Sequence, residues 1–91
     1  MAVTVRIPTQ LRELSGGASE LSAEPGTVAS VLRALETAHP GFGERLFDES
    51  GELRRFVNVF VAEEDIRFLD GVNTAVADGT TVSIVPAVAG G

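Results

Sequence analysis

The sequence predicts an α+β fold in which one long helix packs on one face of a β-sheet. The chain opens with AVTVRI and nears its end with TTVSIV, and both alternate apolar and polar residues as strands with one buried face do. Between them lies one stretch with helical periodicity. The 91 residues, 44% of them hydrophobic, suffice for one core and are too few for two.

The first strand and its neighbour are predicted to form a hairpin. The stretch from Ala18 to Ala23 places Leu21 between polar residues, and glycines precede it. Pro8 closes the first strand, because it lacks a backbone donor. The apolar side of that strand consists of Val3, Val5 and Ile7, and its polar side of Ala2, Thr4 and Arg6.

The long helix is predicted to begin after Pro25-Gly26, with Thr27 as its N-cap, because a hydroxyl there accepts from an unpaired amide of the first turn. Pro40-Gly41 ends it. Its apolar stripe is predicted to comprise Val28, Val31, Leu32, Leu35 and Ala38.

The second half contains one strong strand, FVNVFV at Phe56–Val61, in which the valines share one face. The connection before it, residues 42–55, has no assignable shape. Its apolar residues Phe42, Leu46 and Phe47 are predicted to anchor it to the core.

Short elements follow this strand. The pattern predicts turns at 63–65, 70–71 and 78–79, a short strand at 66–68 and a helical turn at 74–77. In the last strand Val82 and Ile84 point inward, and Pro86 stops the sheet because it cannot donate to the ladder. The domain is therefore predicted to span residues 1–85, and residues 86–91 to form a flexible tail.

Composition excludes several classes of function. The net charge of −6 argues against nucleic acid, whose binding needs a basic surface, and favours a basic protein partner. There is no cysteine, and His39 is the only histidine, so no transition-metal site can be assembled from the usual ligands. The acidic run at 63–65 lacks the ligand spacing of a calcium loop and is interpreted as a solvated turn.

Catalytic and targeting motifs are also missing from the pattern. The serines have no base and acid that would complete a triad, and no phosphate loop or dinucleotide fingerprint occurs. No signal peptide or membrane-spanning stretch is predicted, so the expected location is the cytoplasm, without contact to a membrane. We therefore expect no enzyme activity of its own.

The outer face of the sheet is predicted to carry two aromatic residues, Phe56 and Phe60, on either side of Asn58. Exposed aromatic residues mark contact surfaces, so these three form a candidate partner-docking face. The alternative is that the 42–55 segment shelters one or both phenylalanines.

The last six residues, PAVAGG, are the remaining candidate site. A carboxylate is a poor electrophile until its oxygen becomes a leaving group, most simply by transfer to the adenylyl group of ATP. Two final glycines carry no side chain that would clash in a narrow enzyme site. Extended from Pro86, the stretch Ala87 to Gly91 would carry the carboxyl on the order of 15 Å beyond the domain.

From AVTVRIP onward the chain resembles the ubiquitin-like sulfur carriers of the ThiS/MoaD group, most closely the CysO type. The resemblance rests on FVNVFV, EEDIRF, DGVNTAVADGTTVSIV and PAVAGG. It implies a β-grasp fold with a mixed sheet. It also implies a carrier that binds no cofactor, whose terminal Gly91 an enzyme adenylates with ATP and a sulfur donor converts to a thiocarboxylate.

The resemblance implies particular partners. The activating enzyme would be an adenylyltransferase similar to MoeB or ThiF, with or without a rhodanese domain. The sulfur would pass to an acceptor synthase, in CysO-type systems a pyridoxal-phosphate-dependent cysteine synthase, and a JAMM-type metalloprotease would regenerate the carboxylate. The tail residues that would enter these sites are Pro86, Ala87, Val88, Ala89 and Gly90, beside Gly91.

Three other functions remain open on the sequence. A similar tail serves the MoaD-like small subunit of molybdopterin synthase, which delivers sulfur to a pterin. A ubiquitin-like modifier would instead attach the tail to lysines of target proteins. A plain binding module would carry an inert tail.

Overall fold

A five-stranded mixed β-sheet with a helix on one face forms the protein. The structure is a computed structural model, and it describes residues 2–54 and 57–86. The strands are β1 (Val3–Arg6), β2 (Glu20–Ala23), β3 (Gly26–Thr27), β4 (Val57–Val61), β5 (Glu64–Asp65), β6 (Ala75–Val76) and β7 (Thr81–Pro86). The helices are α1 (Val28–Ala38), α2 (Phe42–Leu46) and the 3₁₀ helices Thr9–Leu11, Ile66–Phe68 and Gly71–Asn73.

The strand order of the main sheet is β2-β1-β7-β4-β5. The first and last strands, β1 and β7, run parallel, and the other pairs are antiparallel. A separate two-stranded sheet joins β3 to β6. The predicted α+β class, the N-terminal hairpin and the three main strands are confirmed.

The core lies between the main sheet and α1. The predicted inward residues of the sheet and helix are buried with the exception of Ala38, and so are two of the three predicted anchors of the 42–55 segment. Phe47 packs against the core while partly exposed. The buried set includes Val3, Val5, Ile7, Val28, Val31, Leu32, Leu35, Phe42, Leu46, Val57, Val59, Val61, Val82 and Ile84.

Helix α1 begins as the sequence predicts, with a reciprocal cap at Thr27. Ser30 donates its backbone N–H to Thr27 Oγ1 at 3.2 Å, and Thr27 donates its own to Ser30 Oγ at 2.9 Å. The prediction that Ala38 belongs to the apolar stripe is wrong. It is the last helical residue and is exposed, and Phe42 of α2 is buried in the core next to this end of the helix.

The connection without a predicted shape contains α2 and a tight loop. Phe47 forms an isolated antiparallel bridge with Leu53. Between them the Asp48 carboxylate accepts from the backbone N–H groups of Ser50 at 2.9 Å and Glu52 at 3.1 Å. A carboxylate that accepts hydrogen bonds from backbone N–H groups two to four residues away stabilises such a loop. The loop therefore needs no apolar periodicity in its sequence.

Two short elements differ from their predictions. Residues 66–68 form a 3₁₀ helix instead of a strand, and the Asp65 carboxylate accepts from Arg67 N–H at 2.9 Å at its start. Residues 75–76 form β6 instead of a helical turn, because they pair with Gly26–Thr27, about fifty positions earlier. Within the predicted turn at 63–65, only Glu63 lies in the turn, and residues 64–65 are β5.

The turn between β4 and β5 consists of two non-glycine residues in left-handed backbone geometry. Val61 pairs with Glu64, and the intervening Ala62 and Glu63 have φ of 51° and 73°. Two positive φ values in a two-residue hairpin loop define a type I′ turn, which favours Asn-Gly. Alanine and glutamate adopt this geometry at a conformational cost.

We expect the double substitution Ala62→Asn/Glu63→Gly to stabilise the domain by about 1 kcal/mol, because it relieves this cost. Urea unfolding followed by circular dichroism would measure the change. The control Glu63→Ala removes the same charge and keeps a Cβ at positive φ, so it should give no gain. Equal stability of the double variant and the wild type would contradict the assignment of strain to this turn.

Candidate functional site: the outer sheet face and the root of the tail

Strand β7 lies in the middle of the sheet, between β1 and β4. Its last residue, Pro86, pairs with Val57 of β4. The strand thus ends at the proline, as its missing N–H predicts. Pro86 therefore lies on the central strand of the sheet, and it is the root of the predicted tail.

One row of side chains crosses the outer face. Ser83 of β7 pairs with Phe60 of β4 on one side and with Arg6 of β1 on the other. Arg6 in turn faces Glu20 of β2, and Phe60 faces Asp65 of β5. An aromatic ring therefore stands in a row that otherwise carries polar and charged groups.

The Arg6–Glu20 ion pair of this row is weak. Arg6 Nε lies 3.8 Å from Glu20 Oε2, and both side chains are more than half exposed. Exposed pairs of this kind contribute about 0–1 kcal/mol, so little is lost when either group turns to a different partner.

Two of the three predicted docking residues are among the residues that the structure describes. Asn58 and Phe60 are half-buried on β4, opposite Val85 and Ser83. Phe56 lies outside the described residues. The outward direction predicted for Asn58 and Phe60 is confirmed by the buried valines that alternate with them, and their docking role stays a prediction.

Sequence reasoning missed one residue of this face, Val85. It is 46% exposed and pairs with Asn58, one residue before the end of the described chain. The alternation of β7, which points Thr81 and Ser83 outward, contains the signal for it. Val85 adds an apolar contact directly beside the root of the tail.

The predicted sulfur-bearing residue, Gly91, and the predicted insertion residues Ala87–Gly90 lie outside the described residues. Pro86 is described, as the end of β7. The division into a domain of residues 1–85 and a tail of residues 86–91 therefore stays a prediction, with Pro86 paired into the sheet.

No group of three His, Cys, Asp or Glu side chains within residues 2–54 and 57–86 is arranged to hold a metal ion. Across the same ranges, no helix has the length and apolar character that a bilayer crossing requires.

The profile of the ThiS family matches residues 5–91, nearly the whole chain. The chain belongs to the ThiS family. This ThiS-family chain is 52% identical over 93 residues to the sulfur carrier protein CysO of Mycobacterium tuberculosis, and the match covers all of both proteins. It is also 44% identical over 68 residues to small archaeal modifier protein 3 of Haloferax volcanii, covering 75% of this chain and 73% of that one.

A solved structure agrees with these matches. The ThiS-family fold described above superposes with a TM-score of 0.92 on a chain of the crystal structure of the Amycolatopsis orientalis BexX/CysO complex. The two chains share 47% identity, over 99% of this chain and 100% of that one. The resemblance to CysO-type carriers and the predicted ubiquitin-like β-grasp fold are confirmed. The prediction of a sulfur carrier that is not itself an enzyme is confirmed as well, since the full-length relatives are named as carriers.

We expect Phe60→Ala to destabilise the domain less than Val59→Ala, although it removes more atoms. Val59 is 1% exposed and points into the core, so its truncation should cost on the order of 2 kcal/mol. Phe60 is half-buried on the outer face. Thermal unfolding of both variants would measure the difference, and a larger loss for Phe60→Ala would place its ring in the core.

Proposed function

We propose that the carboxylate of Gly91 is adenylated by an ATP-dependent activating enzyme and then converted to a thiocarboxylate that donates sulfur. Membership of the ThiS family and the match of its profile through residue 91 support this chemistry. The central position of β7 also supports the proposal, because a tail that begins there extends from a rigid part of the sheet.

Both steps of this reaction balance chemically, and the only group of the carrier that reacts is its terminal carboxylate. A carboxylate oxygen attacks the α-phosphorus of ATP, an O–P bond forms, and pyrophosphate leaves. Hydrosulfide from a donor then attacks the acyl carbon, a C–S bond forms, and AMP leaves with a proton released to water. The carrier supplies the attacking carboxylate and, once adenylated, the electrophilic acyl carbon, and the partner binds ATP with its metal ion and positions the reactants.

The acceptor is proposed to be a synthase that binds the charged tail in its active site. A CysO chain of Amycolatopsis orientalis forms a crystallised complex with BexX, which shows that a protein with this fold docks on another protein. For this chain we also propose a cysteine synthase as the acceptor, a JAMM-type protease for release and the cytoplasm as the location.

Protein modification is a second candidate function, because a small archaeal modifier protein is among the relatives. In that case a lysine amine of a target, instead of hydrosulfide, attacks the activated acyl carbon. The sequence of this chain contains seven arginines and no lysine, so copies of it cannot be linked to one another through lysine side chains. Any isopeptide adduct found in an extract would then lie on a different protein.

The direct test is intact-mass spectrometry after incubation with a MoeB- or ThiF-like activating enzyme of the same organism, ATP and sulfide. We expect one oxygen to be replaced by sulfur, with the change located at Gly91 by fragmentation. The variant that lacks Gly90 and Gly91 should remain uncharged and unfold at the wild-type temperature. An unchanged mass of the wild type, with an enzyme that charges another carrier, would contradict the proposal, as would charging of the truncated variant.

The outer face is proposed to dock the activating enzyme through Asn58, Phe60 and the exposed Val85. Truncating a central aromatic contact commonly costs more than 1 kcal/mol of binding, so Phe60→Ala should weaken the complex about tenfold. Titration calorimetry would measure it, with Arg33→Ala as the control, since Arg33 is exposed on α1 and α1 covers the opposite sheet face. Equal affinities of Phe60→Ala and wild type would exclude Phe60 from the interface.

A further inference from the structure

A pronounced apolar protrusion follows β5. In the 3₁₀ helix Ile66–Phe68 the first residue is buried, and the last, Phe68, is 86% exposed. The next residue, Leu69, is 39% exposed. We call Phe68 and Leu69 the Phe68 knob. Large apolar side chains exposed side by side mark contact surfaces, and neither is explained by the core or by the outer face.

The surroundings of the Phe68 knob are acidic. Residues 63–70 contain four carboxylates, at positions 63, 64, 65 and 70, against one guanidinium, a net charge of −3. The guanidinium belongs to Arg67, whose Nη2 donates to the carbonyl of Val57 at 3.3 Å. A surface that receives the knob must therefore offer an apolar pocket with positive charge around it.

The contact between Arg67 and Val57 places the Phe68 knob at the same end of the sheet as the tail root. Val57 is the residue that pairs with Pro86. Adjacent strands lie about 5 Å apart and an arginine side chain spans a similar distance, so Phe68 lies within about 20 Å of Pro86. An enzyme that receives residues 87–91 in its active site has to cover this end of the sheet.

We propose that the Phe68 knob is a second docking point for the activating enzyme, held in an apolar pocket with basic residues at its rim. This inference rests on the proposed function. Among the occupants that could reach this end, the activating enzyme fits best, because a site that binds the triphosphate of ATP is itself lined with positive charge. A second copy of this chain fits poorly, since it would bring another −6 to the interface.

Steady-state ATP–pyrophosphate exchange catalysed by the activating enzyme tests the proposal. Phe68→Ala should raise the KM for the carrier about tenfold and leave kcat unchanged, because the tail that reacts is intact. Its melting temperature should match that of wild type, since the ring is solvent-exposed. The control Arg33→Ala should change neither parameter. An unchanged KM for Phe68→Ala would overturn the proposal.

A second variant separates the contribution of charge to binding from the contribution of the apolar contact. Glu63→Gln/Glu64→Gln should raise KM at low salt, and this increase should vanish as salt screens the charges, whereas the effect of Phe68→Ala should persist. Salt-independent behaviour of the double variant would contradict a basic rim. Wild-type self-association that Phe68→Ala abolishes in sedimentation, with KM unaffected, would assign the knob to a second copy instead. Absence of exchange with the wild type would count against the proposed function itself, so the two failures are distinguishable.

Discussion

The pairing of β7 with a strand on each side holds the main sheet together. Its parallel partner β1 comes from the start of the chain and its antiparallel partner β4 from the second half, so β7 joins the two halves into one sheet. Val82 and Ile84 point from it into the core beneath α1. The same strand ends at Pro86, so the element that holds the domain together is also the root of the predicted tail.

The two faces of the sheet differ in burial and in role. Helix α1 and the segment with α2 bury one face, which gives the domain its stability through apolar area removed from water. The other face carries half-buried and charged side chains whose interactions with each other are weak. Such a division suits the proposed docking on the outer face, because a partner that binds and leaves there does not disturb the core.

Local patterns in the sequence were sufficient for the elements that bury a regular stripe. Valine alternation predicted β1, β4 and β7, and the capping residue Thr27 predicted the start of α1. The sequence did not predict β6 at Ala75–Val76, because its partner β3 lies about fifty residues away and no local signal encodes that pairing. The exposure of Phe68 was missed for a related reason, since alternation suggested a strand where the Asp65 cap starts a 3₁₀ helix. The chemistry of the tail was predicted from the resemblance and from the reactivity of a terminal carboxylate. Rules of packing predict nothing about such a reacting group.

Native-state hydrogen exchange by NMR tests most directly whether a rigid β7 carries a tail that is independent of the fold. We expect the amides of Val82 and Ile84 to exchange only through global unfolding, with the same free energy that denaturant unfolding gives. We expect the amides of Val88 to Gly91 to exchange at the rates of an unstructured peptide. Protection of the final amides comparable to that of β7 would rule out a free tail, because a carboxylate held by the domain could not enter the active site of another protein.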